Sequence, residues 1–358
     1  MNRIIFGGGF DPVHLGHINM ALAAKQALKG EVIFVPAKVA VWKEESISQE
    51  HKLNMLKLAI AKYDGFSIDT YELDQKEQPR SYQTVRYFKE KYPKDKLYFL
   101  IGQDQVNAFH EWAHPDEIAK NTQIVYYKRP KYIANQANIE TFNMMAIEGP
   151  EIDVSSSDIR SLKSLAVDEG VLKYIEDHNL YFIARIKNYI SEKRYNHSLS
   201  VAHLAYSIAK KNQLDYQKAY IAGLLHDIAK GIDKEESLAL MKQYYPGYLD
   251  IGSYAYHQFL GEMIAKRDFD IQDEDILSAI KYHTTGKKDM TWLEKLIYAT
   301  DTVDPLRGYN STDLINSMYE NLNSGFVTVL KANYEYLQIR NKTINNRLSE
   351  ECFKAYLG

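Results

Sequence analysis

Gly7-Gly8-Gly9-Phe10-Asp11-Pro12-Val13-His14-Leu15-Gly16-His17 decides how the first half of this chain is read. The stretch follows the short apolar run Ile4-Ile5-Phe6 and leads into an apolar, helix-like segment from Ile18. Strand, glycine turn and helix start together form an anion site. Glycines let backbone N–H groups come close to a phosphate, and the helix dipole adds partial positive charge there. His14 and His17, three residues apart, can face the same anion. A glycine-rich turn alone is ordinary; the added Phe-Asp-Pro and His-x-x-His make this one specific.

Around that turn the first half alternates. Residues 3–6, 31–36, 66–69, 96–101 and 123–127 read as strands, and 17–28, 51–63, 81–92 and 115–120 as helices. The alternation predicts an α/β domain, a Rossmann-like doubly wound parallel sheet with ligands at the carboxyl ends of its strands. From Ser156 onward strand signals nearly vanish, and apolar residues recur at helical spacing over 198–211, 217–229, 273–281 and 292–302. An all-α second domain follows. A helix through 171–178 ends at Asn179-Leu180-Tyr181 and another begins near Ile183, which divides the chain into 1–183 and 184–358.

With 358 residues the chain has room for two cores. Its 44 Lys and Arg nearly balance 47 Asp and Glu, a net charge of -3, so no general electrostatic case exists for nucleic acid or an anionic membrane. The single cysteine, Cys352, excludes an intramolecular disulfide framework and thiolate metal clusters, and suits a reducing cytosol. No apolar run approaches the roughly 20 residues that span a bilayer, and the first ten residues lack a signal-peptide pattern. A cytoplasmic protein with small-molecule chemistry is expected, with its oligomeric state left open.

Val154-Ser155-Ser156-Ser157-Asp158-Ile159-Arg160 places hydroxyls at the start of a helix with an arginine one turn later. A helix cap needs one hydroxyl and no arginine. The two stretches resemble the motifs of the nucleotidylyltransferase superfamily, the adenylyl- and cytidylyltransferases, with Val154 in place of the usual Ile. That resemblance implies in-line attack of a substrate phosphate on the α-phosphate of ATP, with Mg²⁺ and with pyrophosphate leaving. The protein's part is alignment and neutralisation of charge. ATP would be held by Gly7, Gly8, Gly9, Phe10, His14, His17, Gly102, Asp104, Ser155, Ser156 and Arg160. His14, His17, Lys43 and Arg160 would serve catalysis.

The acceptor is suggested by Leu100-Ile101-Gly102-Gln103-Asp104-Gln105, followed by Phe109 and Trp112. This block resembles the Gly-x-Asp…Phe…Trp segment of the nicotinate mononucleotide adenylyltransferases. Ser81-Tyr82-Gln83-Thr84, His51-Lys52-Leu53-Asn54-Met55-Leu56 and Val171-Leu172-Lys173-Tyr174-Ile175…Leu180-Tyr181 extend the likeness. It implies nicotinate mononucleotide as acceptor, bound by Asp11, Lys43, Tyr82, Thr84, Asp104 and Trp112. Trp112 offers a flat face for the pyridine ring, and Thr84 with backbone amides could hold the ring carboxylate. The family's Pro-Pro-His-Lys loop is Ala40-Val41-Trp42-Lys43 here. Phosphopantetheine is the alternative acceptor, although its adenylyltransferases are shorter and lack the Gly-x-Asp…Trp block. Nicotinate against nicotinamide mononucleotide stays open.

In the second half, His226-Asp227 closes the apolar run 219–225. Adjacent helical residues point about 100° apart, so the aspartate could bridge two metals while the histidine binds one. With His197, His257, His283 and Asp301, four histidines and two aspartates suit two borderline ions with positions open for water. Mixed nitrogen and oxygen donors favour iron first, or manganese or zinc, over calcium. The order His…His-Asp…His…His…Asp resembles the HD superfamily of metal-dependent phosphohydrolases. Arg194-Tyr195-Asn196-His197-Ser198, Gly223-Leu224-Leu225-His226-Asp227-Ile228-Ala229-Lys230 and Tyr282-His283-Thr284-Thr285-Gly286 bring it closer to the bacterial HD-type diadenosine tetraphosphate hydrolases. The resemblance implies symmetrical cleavage to two ADP by a metal-activated hydroxide, with a catalytic Asp227 and with Arg194, Lys230 and Arg307 meeting phosphates. Where that family has His-Gly or His-Ala-Pro, this chain has His257-Gln258-Phe259-Leu260-Gly261. A bifunctional enzyme is expected. The alternatives are a second half that senses a nucleotide without cutting it, or one that acts on nucleoside triphosphates or cyclic phosphodiesters.

Overall fold

A computed structural model describes residues 1–38, 47–129, 133–150, 152–340 and 346–358. The chain forms two compact units. One comprises Met1–Arg160 with Ser164–Leu180, the other Ser161–Lys163 with Tyr181–Gly358.

The first unit is the expected doubly wound sheet. Strands β1 (Asn2–Gly8), β2 (Glu31–Pro36), β3 (Phe66–Ile68), β4 (Lys96–Gly102), β5 (Gln123–Tyr127) and β6 (Met145–Ile147) are all parallel, in the order β3-β2-β1-β4-β5-β6. Parallel sheets are covered on both faces, so their inner strands are apolar throughout. Ile4, Ile5, Val32 and Phe34 are accordingly fully buried. Helices Leu15–Leu28, Gln49–Ile60, Ser81–Lys91 and Pro115–Asn121 make the crossovers. The helix expected to reach Tyr63 stops at Ile60, because the Tyr63 N–H turns back to the Ile60 carbonyl at 2.9 Å. Strand β6 carries no sequence signal, since three residues are too few to display a period. It is specified by its pairing with β5, Val125↔Met145 through Tyr127↔Ile147.

β1 and β4 are neighbours in register from Asn2↔Lys96 to Ile5↔Phe99. The chain leaves β1 toward β2 and leaves β4 toward β5, on opposite sides. A crevice therefore opens at their carboxyl ends, which are Gly8 and Gly102. Gly16 lets the next helix start against this crevice: a Cβ there would lie 3.0 Å from the His14 ring and 3.2 Å from Val154.

The second unit is helical. Its main helices are Glu192–Lys211, Tyr216–Leu225, Tyr256–Asp268, Glu274–Tyr282, Trp292–Val303, Leu322–Ile339 and Arg347–Leu357. Local chemistry starts them. Ser191 accepts the Arg194 N–H, Asp215 accepts those of Gln217 and Lys218, and Thr291 with Glu294 forms a capping box. The helix expected over 217–229 ends at Leu225. Beyond it the N–H groups of Ile228 and Lys230 bond the carbonyls three residues back, at 3.1 and 3.0 Å, so His226 and Asp227 begin a tight turn. Gly223 permits the close crossing of Tyr216–Leu225 over Glu192–Lys211, because a Cβ there would meet Ala202 Cα at 2.8 Å. Gly223→Ala is expected to destabilise the second unit by about 1–3 kcal/mol. Urea unfolding of the full chain followed by circular dichroism measures it; an unchanged midpoint would show that the two helices can part without cost.

Candidate functional site

The crevice between β1 and β4 is a cleft of about 470 Å³ lined by both halves of the opening motif's chemistry: Gly7, Gly8, His14 and His17 on one wall, Ser155 and Ser156 beside them. His14 caps the Leu15–Leu28 helix, accepting the His17 N–H on Nδ1 at 3.4 Å, while His17 Nδ1 accepts the His14 N–H at 3.3 Å. The rings stack with centroids 3.6 Å apart. With Nδ1 an acceptor, each neutral ring carries its proton on Nε2. Burial and the nearby Arg129 guanidinium push the His14 pKa down to about 4. Burial, His14 and Arg129 hold His17 well below the usual imidazole range. Both are therefore uncharged N–H donors at neutral pH.

Gly102, Asp104 and Trp112 line the same cleft with Ser81 and Thr84. Trp112 packs edge-on to Phe99 and tilted against Phe109, which fixes its plane. Thr84 differs from expectation. Its hydroxyl donates to buried Glu72 Oε1 at 2.7 Å, and Gln78 Nε2 donates to Oε2 at 2.7 Å. Burial raises the Glu72 pKa against these two hydrogen bonds.

Several residues expected at the ligand are not among those lining the cleft. Phe10 is 1 % exposed and packs on Phe6, Phe34 and His17. Its aromatic ring stiffens the loop from beneath, since an apolar face has more to gain there than at phosphate. Gly9 and Asp11 are likewise not among the lining residues. Asp11 faces the buried Lys52 ammonium at 3.7 Å. Tyr82 packs against His114 and under Arg86, outside the cleft lining. Arg160 donates to the Asp11 carbonyl at 2.7 Å, and Ser156 Oγ to the Pro12 carbonyl at 2.9 Å, so the second motif clasps the first. Lys43 lies outside the described residues. Arg129 lines the cleft and was missed. The available signal was its place two residues past the end of β5, where a parallel sheet presents its ligand side.

In the second unit the six predicted ligands meet. His197 Nε2 is 3.0 Å from Asp301 Oδ1, and His226 Nε2 is 3.6 Å from both Asp301 Oδ1 and Asp227 Oδ2. The other oxygen, Asp227 Oδ1, is 3.4 Å from His257 Nε2 and from His283 Nε2. One carboxylate thus faces two pairs of imidazoles. Each ring is turned by its far nitrogen. Nδ1 donates to Gly223 O from His226 (2.7 Å), to Tyr254 O from His257 (3.0 Å) and to Ile280 O from His283 (2.7 Å). His197 Nδ1 instead meets Asp304 Oδ2 at 2.6 Å. At His226, His257 and His283 these bonds leave the Nε2 lone pair aimed inward.

The donor set fits a divalent ion. His226 Nε2 is fully buried without a hydrogen-bond partner, and His197, His226 and Asp301 offer ligand atoms within 4.8 Å of one another, as do His226, Asp227 and His283. Although burial alone would raise them, the surrounding imidazoles hold Asp227 and Asp301 well below the carboxylate range. Burial opposes but Asp301 and Asp304 outweigh it at His197, whose pKa rises to about 9. The three expected phosphate-binding cations gather here: Arg194 on Asp227 at 2.8 Å, Lys230 at 3.8 Å from Asp227, and Arg307 on Asp301.

Two residues missed in the sequence shape this centre. Asp304, fully buried, takes the His197 Nδ1 proton on one oxygen and Ser200 Oγ on the other at 2.5 Å. Gln258, where the resembled family has Gly or Ala, accepts the N–H groups of Thr284 and Thr285 at 3.1 and 3.2 Å. It ties the His257 helix to the turn after His283. Thr284 Oγ1 then sits 3.0 Å from Nε2 of both histidines. The only clue in the chain was adjacency to a ligand.

Residues 5–162 match the Cytidylyltransferase-like family and residues 194–306 the HD domain family. A probable nicotinate-nucleotide adenylyltransferase/Ap4A hydrolase of Mycoplasma genitalium is 30% identical over 342 residues, covering 92% of this chain and 96% of that protein. Its namesake in Mycoplasma pneumoniae is 31% identical over 339 residues, with 92% and 98% covered. A probable nicotinate-nucleotide adenylyltransferase of Aquifex aeolicus is 43% identical over 129 residues, 36% of this chain and 77% of that protein. This chain therefore belongs to the family of the two mycoplasma proteins, with a cytidylyltransferase-like first half and an HD second half.

Proposed function

We propose that this protein is a bifunctional nucleotide enzyme. The first half transfers the adenylyl group of ATP to nicotinate mononucleotide, and the second hydrolyses diadenosine tetraphosphate to two ADP. The observation that carries the first assignment is one cleft holding a paired, uncharged His14 and His17, the glycine turn and Trp112. A phosphate oxygen of nicotinate mononucleotide attacks the α-phosphorus of ATP, the bond to the β-phosphate breaks, and pyrophosphate leaves. Nicotinate adenine dinucleotide remains. His14 and His17 donate Nε2–H to phosphate oxygens as charge develops, and Arg129 supplies a fixed positive charge nearby. ATP enters as its Mg²⁺ complex. Trp112 stacks on the pyridine ring, and Arg160 holds the phosphate loop through the Asp11 carbonyl.

For the second half the support is the divided Asp227, with imidazole pairs on both oxygens. His197, His226, Asp301 and Asp227 Oδ2 would hold one divalent ion, and His257, His283 and Asp227 Oδ1 a second. Two such ions, iron by the mixed nitrogen and oxygen donors with manganese or zinc as the other fits, supply Lewis acidity and lower the pKa of water. Water adds to a β-phosphorus and the central P–O–P bridge breaks, giving two ADP. Arg194, Lys230 and Arg307 steady the phosphates. We place both reactions in the cytoplasm, without nucleic acid or membrane; no described helix is long and apolar enough to cross one.

Purified chain loaded with iron or manganese and offered ATP with each acceptor tests the whole reading: pyrophosphate release with nicotinate mononucleotide and not with phosphopantetheine, and ADP from diadenosine tetraphosphate. His17→Ala is expected to cut dinucleotide synthesis at least about 100-fold and leave hydrolysis near normal, while His226→Ala does the reverse. Loss of both activities in either variant contradicts separate sites. Because His14 is neutral down to about pH 4, its Cε1–H resonance, assigned by its disappearance in His14→Asn, should not move between pH 7 and about pH 5; a midpoint near the ordinary imidazole value of about 6.5 would refute the uncharged donor. Asp304→Ala should weaken metal binding about 10- to 100-fold by titration calorimetry, with Asp304→Asn losing less, because the amide oxygen still accepts from His197 Nδ1.

A further inference from the structure

Metal ions and basic side chains recognise a chain of phosphates and carry no information about what stands at its ends. A protein that prefers a dinucleoside polyphosphate to a bare polyphosphate needs a surface for a base beyond each end of the phosphates. Two exposed tyrosines are carried by the backbone next to ligands of the metal centre in the second unit. Tyr254 is 59 % exposed, three residues before His257, and its carbonyl is the acceptor that turns the His257 ring. Tyr309 is 46 % exposed, two residues beyond Arg307, whose guanidinium sits on Asp301.

Both rings are held in place through their hydroxyls while much of each side chain stays exposed. Buried Asn346 donates to the Tyr254 hydroxyl oxygen at 2.6 Å, and Asn346 is itself engaged by the Ser349 N–H as the cap of Arg347–Leu357. The Tyr309 hydroxyl donates to the Thr302 carbonyl at 2.5 Å, on the helix that carries Asp301. An exposed aromatic anchored at its hydroxyl has already lost its rotamer freedom, so a planar ligand stacking on it pays little further entropy. Tyr254 is carried by the turn whose carbonyl holds His257, and Tyr309 by the segment that follows Asp301 and Arg307. The phosphate-facing cations Arg194, Lys230 and Arg307 gather at Asp227 and Asp301.

We propose that Tyr254 and Tyr309 are the stacking faces for the two nucleoside bases of a dinucleoside polyphosphate, one on each side of the metal centre, and so determine its choice over base-free polyphosphates. This rests on the hydrolase reading of the second half. The test uses the full metal-loaded chain. Tyr254→Leu and Tyr309→Leu should each raise KM for diadenosine tetraphosphate about tenfold, while the Phe variants stay within about threefold of the parent. Metal content and the inhibition constant of inorganic tripolyphosphate, which has no base, should not change. Leu variants with an unaltered KM, or a tripolyphosphate constant that moves in step with KM, overturn the proposal. If the parent leaves diadenosine tetraphosphate uncut, the substrate reading fails separately. Photolabelling with 8-azido-ADP then decides the faces: adducts on the peptides carrying Tyr254 or Tyr309 uphold them, and their absence there overturns them.

Discussion

The partner of each imidazole's Nδ1 is the interaction on which both halves depend. In the first unit that partner is a backbone N–H, so Nδ1 accepts, the proton sits on Nε2, and His14 and His17 present donors to the cleft. In the second it is a backbone carbonyl at His226, His257 and His283, so Nδ1 donates and Nε2 presents a lone pair. The same side chain thereby offers its site an N–H donor in one fold and a lone pair in the other.

Charge follows the same division. The first unit keeps its histidines neutral by burial beside Arg129 and lets an arginine supply the fixed charge. The second concentrates Asp227 and Asp301 among imidazoles and brings three long basic side chains onto them. Burying carboxylates is costly unless they are paired and hydrogen-bonded. The cations and imidazoles meet that requirement within the protein and leave a centre suited to anionic substrates.

Much of this was legible in the chain, for local reasons. β1 to β5 announced themselves as short apolar runs, and the crossover helices by period, because buried faces must repeat with the geometry of the element. β6 was not, since three residues have no period and its pairing is with β5 alone. The glycine turn with its two histidines was readable for its spacing, and the six metal-site residues for their number and order. For Phe10, nothing in the motif distinguishes a ring that touches nucleotide from one that props the loop, and the fold packs this ring on Phe6, Phe34 and His17. Arg129, Glu72, Gln258 and Asp304 were missed because their partners are distant or mute in sequence.

The sequence by itself determined which residues could act, and for five of the six histidines at the two sites also which nitrogen faces inward. His226, His257 and His283 each bond the carbonyl three residues back, and His14 and His17 cap one another, so these tautomers are settled within one turn of backbone. Tertiary structure decided what no local bond can. It set Asp304 against His197, 107 residues apart, divided Asp227 between two imidazole pairs, and brought Gly8 and Gly102 to one crevice. The reason is range: a hydrogen bond across three residues is fixed by helical geometry, whereas one across a hundred forms only when helices and crossovers bury their apolar faces together.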